Sequence, residues 1–429
     1  MKRILVVSWF FPPINSSEGL VTYKLLNNSK YSYDVYTQNS NDSWSYAKND
    51  YLPLNNNINC IFSTANNLNE FENAAVDYYK ENINKYDIVM TRSMPEESHK
   101  IGIAIKNINP KIVWIASFGD PIGNNPFTLK SINGNNPYSL KNRYTRKMGI
   151  REILSIKRCI KSFLFNKQNK KNYELFIKSK NELEESILKK CDYIICNNDY
   201  QKNYISANNA KYSELFKNKF ILLPHTFDEK LYPTEKASDN NKIVFSYIGH
   251  LDDIRTPKLF LEAVNKLNTE NRNLSDLVEF NFYGNMSLND KLYIINNELY
   301  DVVKIRKPIS YIQSLAIMKN SDWLLHIDAN LFGIIDENIF FAAKLADYIG
   351  SYTNIISITM LEGASAKIIR DINALITTYS KEEIYNYLYM IIYNHFNINM
   401  NHTAMSEYSA KYVANKFDNF IKSEVLNEN

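Results

Sequence analysis

Short apolar runs alternate along the chain with stretches whose apolar positions recur every three to four residues. In the first half Ile4–Trp9, Ser32–Thr37, Ile88–Met90, Ile112–Ser117, Tyr193–Cys196 and Phe220–Leu223 read as strands, with helical patterns such as Glu70–Asn84 and Glu97–Lys106 between them. In the second half Ile243–Ile248, Glu279–Tyr283, Val302–Ile305, Trp323–Ile327 and Ile355–Ile358 read as strands. Pro257–Leu267, Ser310–Asn320, Phe340–Gly350 and Ala364–Arg370 read as helices. This alternation predicts parallel sheets with helices on both faces. The polar segment His225–Lys242, with Pro233, reads as a linker. Both halves open with strand, loop and helix: Lys2–Leu26 (KRILVVSWFFPPINSSEGLVTYKLL) and Val244–Val264 (VFSYIGHLDDIRTPKLFLEAV). The second opening reads as the first βα unit of a second doubly wound domain, and ligands of such sheets lie beyond the carboxyl ends of the strands. The predicted division is 1–230, 242–402, and a helical stretch at 403–429 that returns to the first domain.

Composition fits this division. A chain of 429 residues with 45% hydrophobic residues suits two cores. Its 31 tyrosines and abundant Asn read as compositional bias, which weakens any argument from those two residue types. The net charge of +4 conceals a cluster: 141–171 holds eleven basic residues against the single acid Glu152, so the remainder is net acidic. Cys60, Cys159, Cys191 and Cys196 form no CxxC pair and suggest reduced thiols in a cytoplasmic protein. The opening residues turn polar too soon for a cleavable signal, and no apolar run is long enough to span a bilayer. The Cys and His residues follow no metal-ligand spacing, so no metal and no cofactor are expected.

Candidate chemistry concentrates in Gly249–Pro257 (GHLDDIRTP). A glycine there lets a ligand approach the backbone, and the helix that follows offers free N–H groups to an anion. Arg255, just before that helix, has the geometry to fork two phosphate oxygens. The plainer reading is a surface arginine ahead of a helix. No GxGxxG occurs in either half, which disfavours ordinary dinucleotide binding.

Several stretches, in order, resemble glycosyltransferase family 4 of the GT-B fold. They are FFPPINSSEG (Phe10–Gly19), WIASFGDP (Trp114–Pro121), CDYIICNNDYQKNYI (Cys191–Ile205) with ILLPHTFD (Ile221–Asp228), YIGHLDDIRTPKLFLEA (Tyr247–Ala263), SDWLLHID (Ser321–Asp328) and AAKLADYIGSYTNIISI (Ala342–Ile358). The resemblance implies an α/β protein of two Rossmann-like domains facing across a cleft. It implies an enzyme that takes a nucleotide sugar on the second domain and a glycan, lipid-linked or protein acceptor on the first. It further implies transfer with retention and without a metal ion, and bacterial surface-polysaccharide biosynthesis as the setting. By position, Gly249, His250, Arg255, Lys344 and Asp347 match donor-binding residues, Asp347 standing where relatives have a ribose-binding Glu. His250 stands where relatives have Arg, and Ile339 where many have a sugar-binding Glu. Ser17 and Gly19 match first-loop donors near the diphosphate, with Glu18 replacing one glycine of a Gly-Gly pair. Asp120 is the expected carboxylate near the reacting centre; its plainer reading is a turn cap before Pro121.

The basic segment at Gly149–Lys167 has apolar residues at one-face spacing. It reads either as a helix lying on an anionic membrane, giving peripheral attachment at the inner face, or as a core helix with a solvated basic side. No nucleic-acid motif accompanies the charge. Two rivals to a transferase stand: a nucleotide-sugar epimerase or hydrolase on the same fold, and a degenerate binding subunit.

Overall fold

The computed structural model describes residues 3–14, 16–39, 52–134, 153–235, 241–252, 254–271 and 273–426, with the backbone alone for 131–134 and 153–171. The first sheet is built of β1 (Arg3–Ser8), β2 (Ser32–Gln38), β3 (Ile58–Ser63), β4 (Ile88–Arg92), β5 (Val113–Ser117), β6 (Tyr193–Cys196) and β7 (Phe220–Leu222). Its order is β3-β2-β1-β4-β5-β6-β7, parallel throughout. The second is built of β8 (Ile243–Ile248), β9 (Val278–Tyr283), β10 (Val303–Arg306), β11 (Trp323–Ile327), β12 (Asn354–Ile358) and β13 (Leu375–Thr377). Its order is β10-β9-β8-β11-β12-β13, again parallel. Strand order reverses between β1 and β4 and between β8 and β11. Crevices for ligands open at such points.

Burial explains the strands. Ile4, Val6, Ile88 and Met90 lie on one side of the first sheet with Tyr23 and Leu26, while Leu5, Val7 and Val89 meet Phe71, Ile101 and Ile105 on the other. In the second domain Phe245, Phe280 and Trp323 stack in the core beneath the helix Lys258–Glu270. Helix starts are set by side-chain caps: Ser16 accepts from the Gly19 N–H at 3.0 Å, and Ser310 with Gln313 forms a capping box ahead of Tyr311–Asn320.

Four elements differ from expectation. The edge strand β3 and the three-residue β13 have no counterpart among the expected strands. The expected helix from Phe340 begins only at Ala343 (Ala343–Gly350), because Asn338 bonds to the backbone of Glu362 and Ala364 and keeps the preceding segment extended. The expected helix Thr403–Val425 is divided into His402–Ser406 and Ala410–Phe420. At the break Phe227 receives a bond from Ala410 N (2.7 Å) and donates to Tyr408 O (3.1 Å). The second of these helices packs on the first domain: Val413, Phe417 and Ile421 share a core with Ile4, Val6, Tyr23 and Leu26. The chain thus crosses to the second domain near Phe227 and returns beside the same residue.

The basic segment falls partly outside the described residues. A helix runs from Ile153 to Lys190, but 141–152 and the side chains to 171 lie outside the description. Among the described residues no helix is long and apolar enough to cross a membrane.

Candidate active site between the two domains

The second domain contributes two cations. Gly249 follows β8 with φ +132°, a region that favours glycine. A Cβ there would meet the Lys344 side chain at 3.7 Å. Lys344 arrives from the start of Ala343–Gly350. Its Nζ donates to Tyr247 Oη at 2.6 Å and lies 4.1 Å from that ring's centroid. Burial, then the Arg255 charge, push the Lys344 ammonium down to about 7. Arg255 is anchored by its backbone N–H to Asp252 Oδ1 at 2.7 Å, while its guanidinium reaches that carboxylate only at 3.9 Å. The guanidinium instead sits over Phe127 of the first domain, 5.0 Å from the ring centroid. Among the described residues Lys344 makes no ion pair. Two cations that repel each other, placed beside the amino end of Lys258–Glu270, form a site that an anion would stabilise.

The first domain contributes carboxylates. The Asp120 loop leaves β5 and is pinned from below. The Gly119 carbonyl accepts from Asn197 Nδ2 (3.1 Å) and Gln201 Nε2 (3.0 Å), and Glu184 accepts from the N–H groups of Ile122 and Gly123 at 2.9 Å each. Burial raises the Glu184 carboxyl to about 6 against the lowering effect of those bonds. Gly119 lies flat against Glu18, whose carboxylate would be 2.6 Å from an added Cβ. Burial and then the Glu18 charge raise Asp120 to about 7, with Arg255 and Arg92 acting in the opposite sense.

That shift has a measurable sign. A carboxyl held more basic in the fold than in the unfolded chain binds its proton more tightly when folded, so stability falls as pH rises through the window. Asp120→Asn is therefore expected to lose part of the decline in stability between about pH 4 and pH 7. Urea melts of both proteins across that range check it. Parallel curves would show that Asp120 carries no such shift.

The remaining expected residues are placed unevenly. Asp347 is buried, and its carboxylate accepts from Lys24 Nζ at 2.8 Å and Tyr311 Oη at 2.9 Å. In this structure the carboxylate forms an ion pair between the domains. His250 is exposed, and its backbone oxygen, not its ring, is bonded, by Tyr247 Oη at 3.0 Å. Ser17 is exposed at its helix start. Gly19 serves packing: a Cβ there would press on Ile14 O and the Phe10–Phe11 backbone at 3.2 Å. Ile339 is buried among Ala329, Leu331 and Phe340, and its carbonyl accepts from Asn198 Nδ2 at 3.0 Å across the domain boundary. Sequence reading missed Arg92, Tyr247, Lys24 and His225. Only Arg92 carried a signal, as a charge ending an apolar strand.

Among the described residues no group of three or more His, Cys, Asp or Glu side chains is arranged to hold a metal ion. No protein-family model and no curated protein sequence matches the chain. Solved structures do. A sucrose-phosphate synthase from Thermosynechococcus elongatus matches with a TM-score of 0.63 at 11% identity, covering 100% of both chains. The lipopolysaccharide outer core galactosyltransferase WaaB matches with a TM-score of 0.57 at 12% identity over 99% of this chain and 100% of that one. A protein assigned as a UDP-N-acetylglucosamine 2-epimerase from Listeria monocytogenes matches with a TM-score of 0.56 at 11% identity over 100% and 98%. With its two parallel sheets and the crevices between them, the chain has the GT-B fold, two Rossmann-like domains facing across a cleft.

Proposed function

We propose that the chain is a glycosyltransferase that moves a sugar from a nucleoside-diphosphate sugar onto a glycan, lipid-linked or protein-linked acceptor, with retention and without a metal ion. The observation that carries the reading is the pair Lys344 and Arg255, close enough for one charge to act on the other, with Arg255 reaching over Phe127 and acting on Asp120 of the first domain. Departure of a nucleoside diphosphate builds negative charge on oxygen. Donors fixed beforehand at that oxygen lower the barrier. Lys344 and Arg255 supply that charge from the protein side, the helix Lys258–Glu270 adds backbone N–H groups, and Asp120 lies near the oxocarbenium-like sugar. On this reading Asp120→Asn lowers turnover as well as altering the pH profile of stability.

The test is a thermal-shift screen against UDP, GDP, ADP, CMP and dTDP, with and without Mg²⁺. A ligand at 100 times its dissociation constant stabilises by about 2.7 kcal/mol. The expected result is a rise with one base that does not depend on Mg²⁺. A flat panel from folded protein would remove the reading in favour of a binding subunit with another ligand. The departure at Ile339, which leaves the expected sugar contact apolar, supports the binding subunit, whereas the epimerase or hydrolase reading has support in the similarity of fold to the protein assigned as a UDP-N-acetylglucosamine 2-epimerase. Turnover of the donor with no acceptor present would favour it.

A further inference from the structure

Arg92 closes β4 opposite Ser8 of β1, at the point where strand order in the first sheet reverses. It is 5% exposed. Its Nε donates to Glu18 Oε2 at 2.8 Å and its Nη1 to Ser117 Oγ at 3.0 Å. Its Nη2 is buried and has no acceptor among the described residues. His225, just past β7, is also buried, with its ring stacked 5.4 Å from Phe341 of the second domain. Its Nε2 faces the Asn197 Nδ2 amide at 3.5 Å. An amide nitrogen only donates, so Nε2 accepts and the ring proton sits on Nδ1, which has no partner either. Burial holds this imidazole neutral, and the charges of Arg92 and Lys24 act in the same sense. Two buried donors, close enough for the charge of one to act on the other, lack an acceptor among the described residues. Buried donors of this kind are normally met.

We propose that Arg92 and His225 form a second anion subsite, on the first domain, that holds a phosphate or carboxylate carried by the acceptor. The inference rests on the transferase reading above and names the class of its acceptor as anionic. The partner must offer lone pairs to both donors, and beside a guanidinium an oxyanion is the strongest acceptor, a phosphate or a carboxylate alike. The subsite is separate from Lys344 and Arg255, which belong to the crevice of the other sheet. Glu18 opposes it by occupying Nε, while Asp120 beside it repels an anion less when it carries its proton.

The probe is inorganic phosphate, titrated calorimetrically into the full chain carrying Lys344→Ala and Arg255→Ala, so that the donor site is silent. Phosphate is expected to bind. Adding Arg92→Gln should weaken it about 10- to 100-fold, the effect of losing a charge-assisted bond. Adding Glu18→Gln should strengthen it, because a competitor for the guanidinium is removed; a purely structural ion pair predicts no gain. Arg92→Lys keeps a charge without the fork, provides a folded control, and should fall between. Hexose 6-phosphate and hexuronate, each against the neutral hexose, separate a phosphate from a carboxylate source. Absence of phosphate binding, or binding indifferent to both Arg92 and Glu18, would overturn the subsite. Binding of a nucleoside diphosphate to the unaltered chain is measured alongside. If it persists while phosphate binding fails, only this inference falls; if it too is absent, the transferase reading falls with it.

Discussion

Lys344→Ala is expected to reduce turnover about 100- to 1,000-fold, the usual loss when one preorganised donor to a developing oxyanion is removed. Lys344 is expected to contribute more than Arg255 because it is the more strongly desolvated and, among the described residues, its side chain has only a phenol, Tyr247, as partner. Arg255 is more exposed and already has Asp252 near, so Arg255→Ala should cost less. The two variants also differ in their pH behaviour. An ammonium depressed to about 7 is partly neutral near neutrality, and a bound diphosphate draws a proton onto it. Affinity for the diphosphate should therefore rise as pH falls through that value, and the dependence should vanish in Lys344→Ala. Stability behaves oppositely. A lysine whose folded value lies below its ordinary 10.5 makes the free protein gain stability as pH rises from about 7 toward 10.5. Removing it should leave the melting temperature at neutral pH unchanged or raised. Calorimetric titration with the diphosphate across pH, beside melts of the free variant, checks each half. A variant that melts early would instead mean that Lys344 supports the fold.

The second large effect is on stability. Lys24→Met should destabilise the protein by about 3–5 kcal/mol, the cost of stranding one member of a buried ion pair. The Lys24 and Asp347 side chains are 1% and 8% exposed, and they join the helix Ser17–Asn28 of the first domain to Ala343–Gly350 of the second. Loss of Lys24 leaves the Asp347 carboxylate with Tyr311 alone, while burial already pushes that carboxyl up. The double variant Lys24→Met with Asp347→Leu should recover most of the loss, because an apolar pair of similar volume often replaces a buried ion pair without cost. Urea denaturation of the three variants provides the cycle. Equal destabilisation by the single and double changes would show that the pair itself, and not the stranded charge, holds the domains.

The course of the chain was readable where burial alone determined it. Strands such as Ile88–Met90 and Trp323–Ile327 are apolar on both faces and stand out at once. β3 did not, because as an edge strand it mixes buried and exposed positions, and β13 is only three residues long. The site divides in the same way. Gly249 and Arg255 follow from local order, a strand leading through a glycine loop into a helix, while Lys344 was expected only from the resemblance of its segment. Arg92 depends on register across the sheet, where it faces Ser8. The partner of Asp347 lies 323 residues away, and motif position alone pointed to ribose. Such pairings arise only when two domains meet, and no local pattern records them.

The return of the chain after its second domain bears on how the protein is made. The first sheet is finished at Leu222, yet Ile4, Val6, Tyr23 and Leu26 are covered by Val413, Phe417 and Ile421. Ser29 and the backbone of Lys30 likewise bond to Asp418. A ribosome adding about 5–20 residues per second needs tens of seconds to pass from one to the other. Throughout that interval the nascent first domain presents an unfinished apolar face, including buried Tyr23 and Leu26, to the crowded cell. Synthesis therefore leaves the amino-terminal half waiting for its last helix, a period in which a holdase has a defined surface to grip.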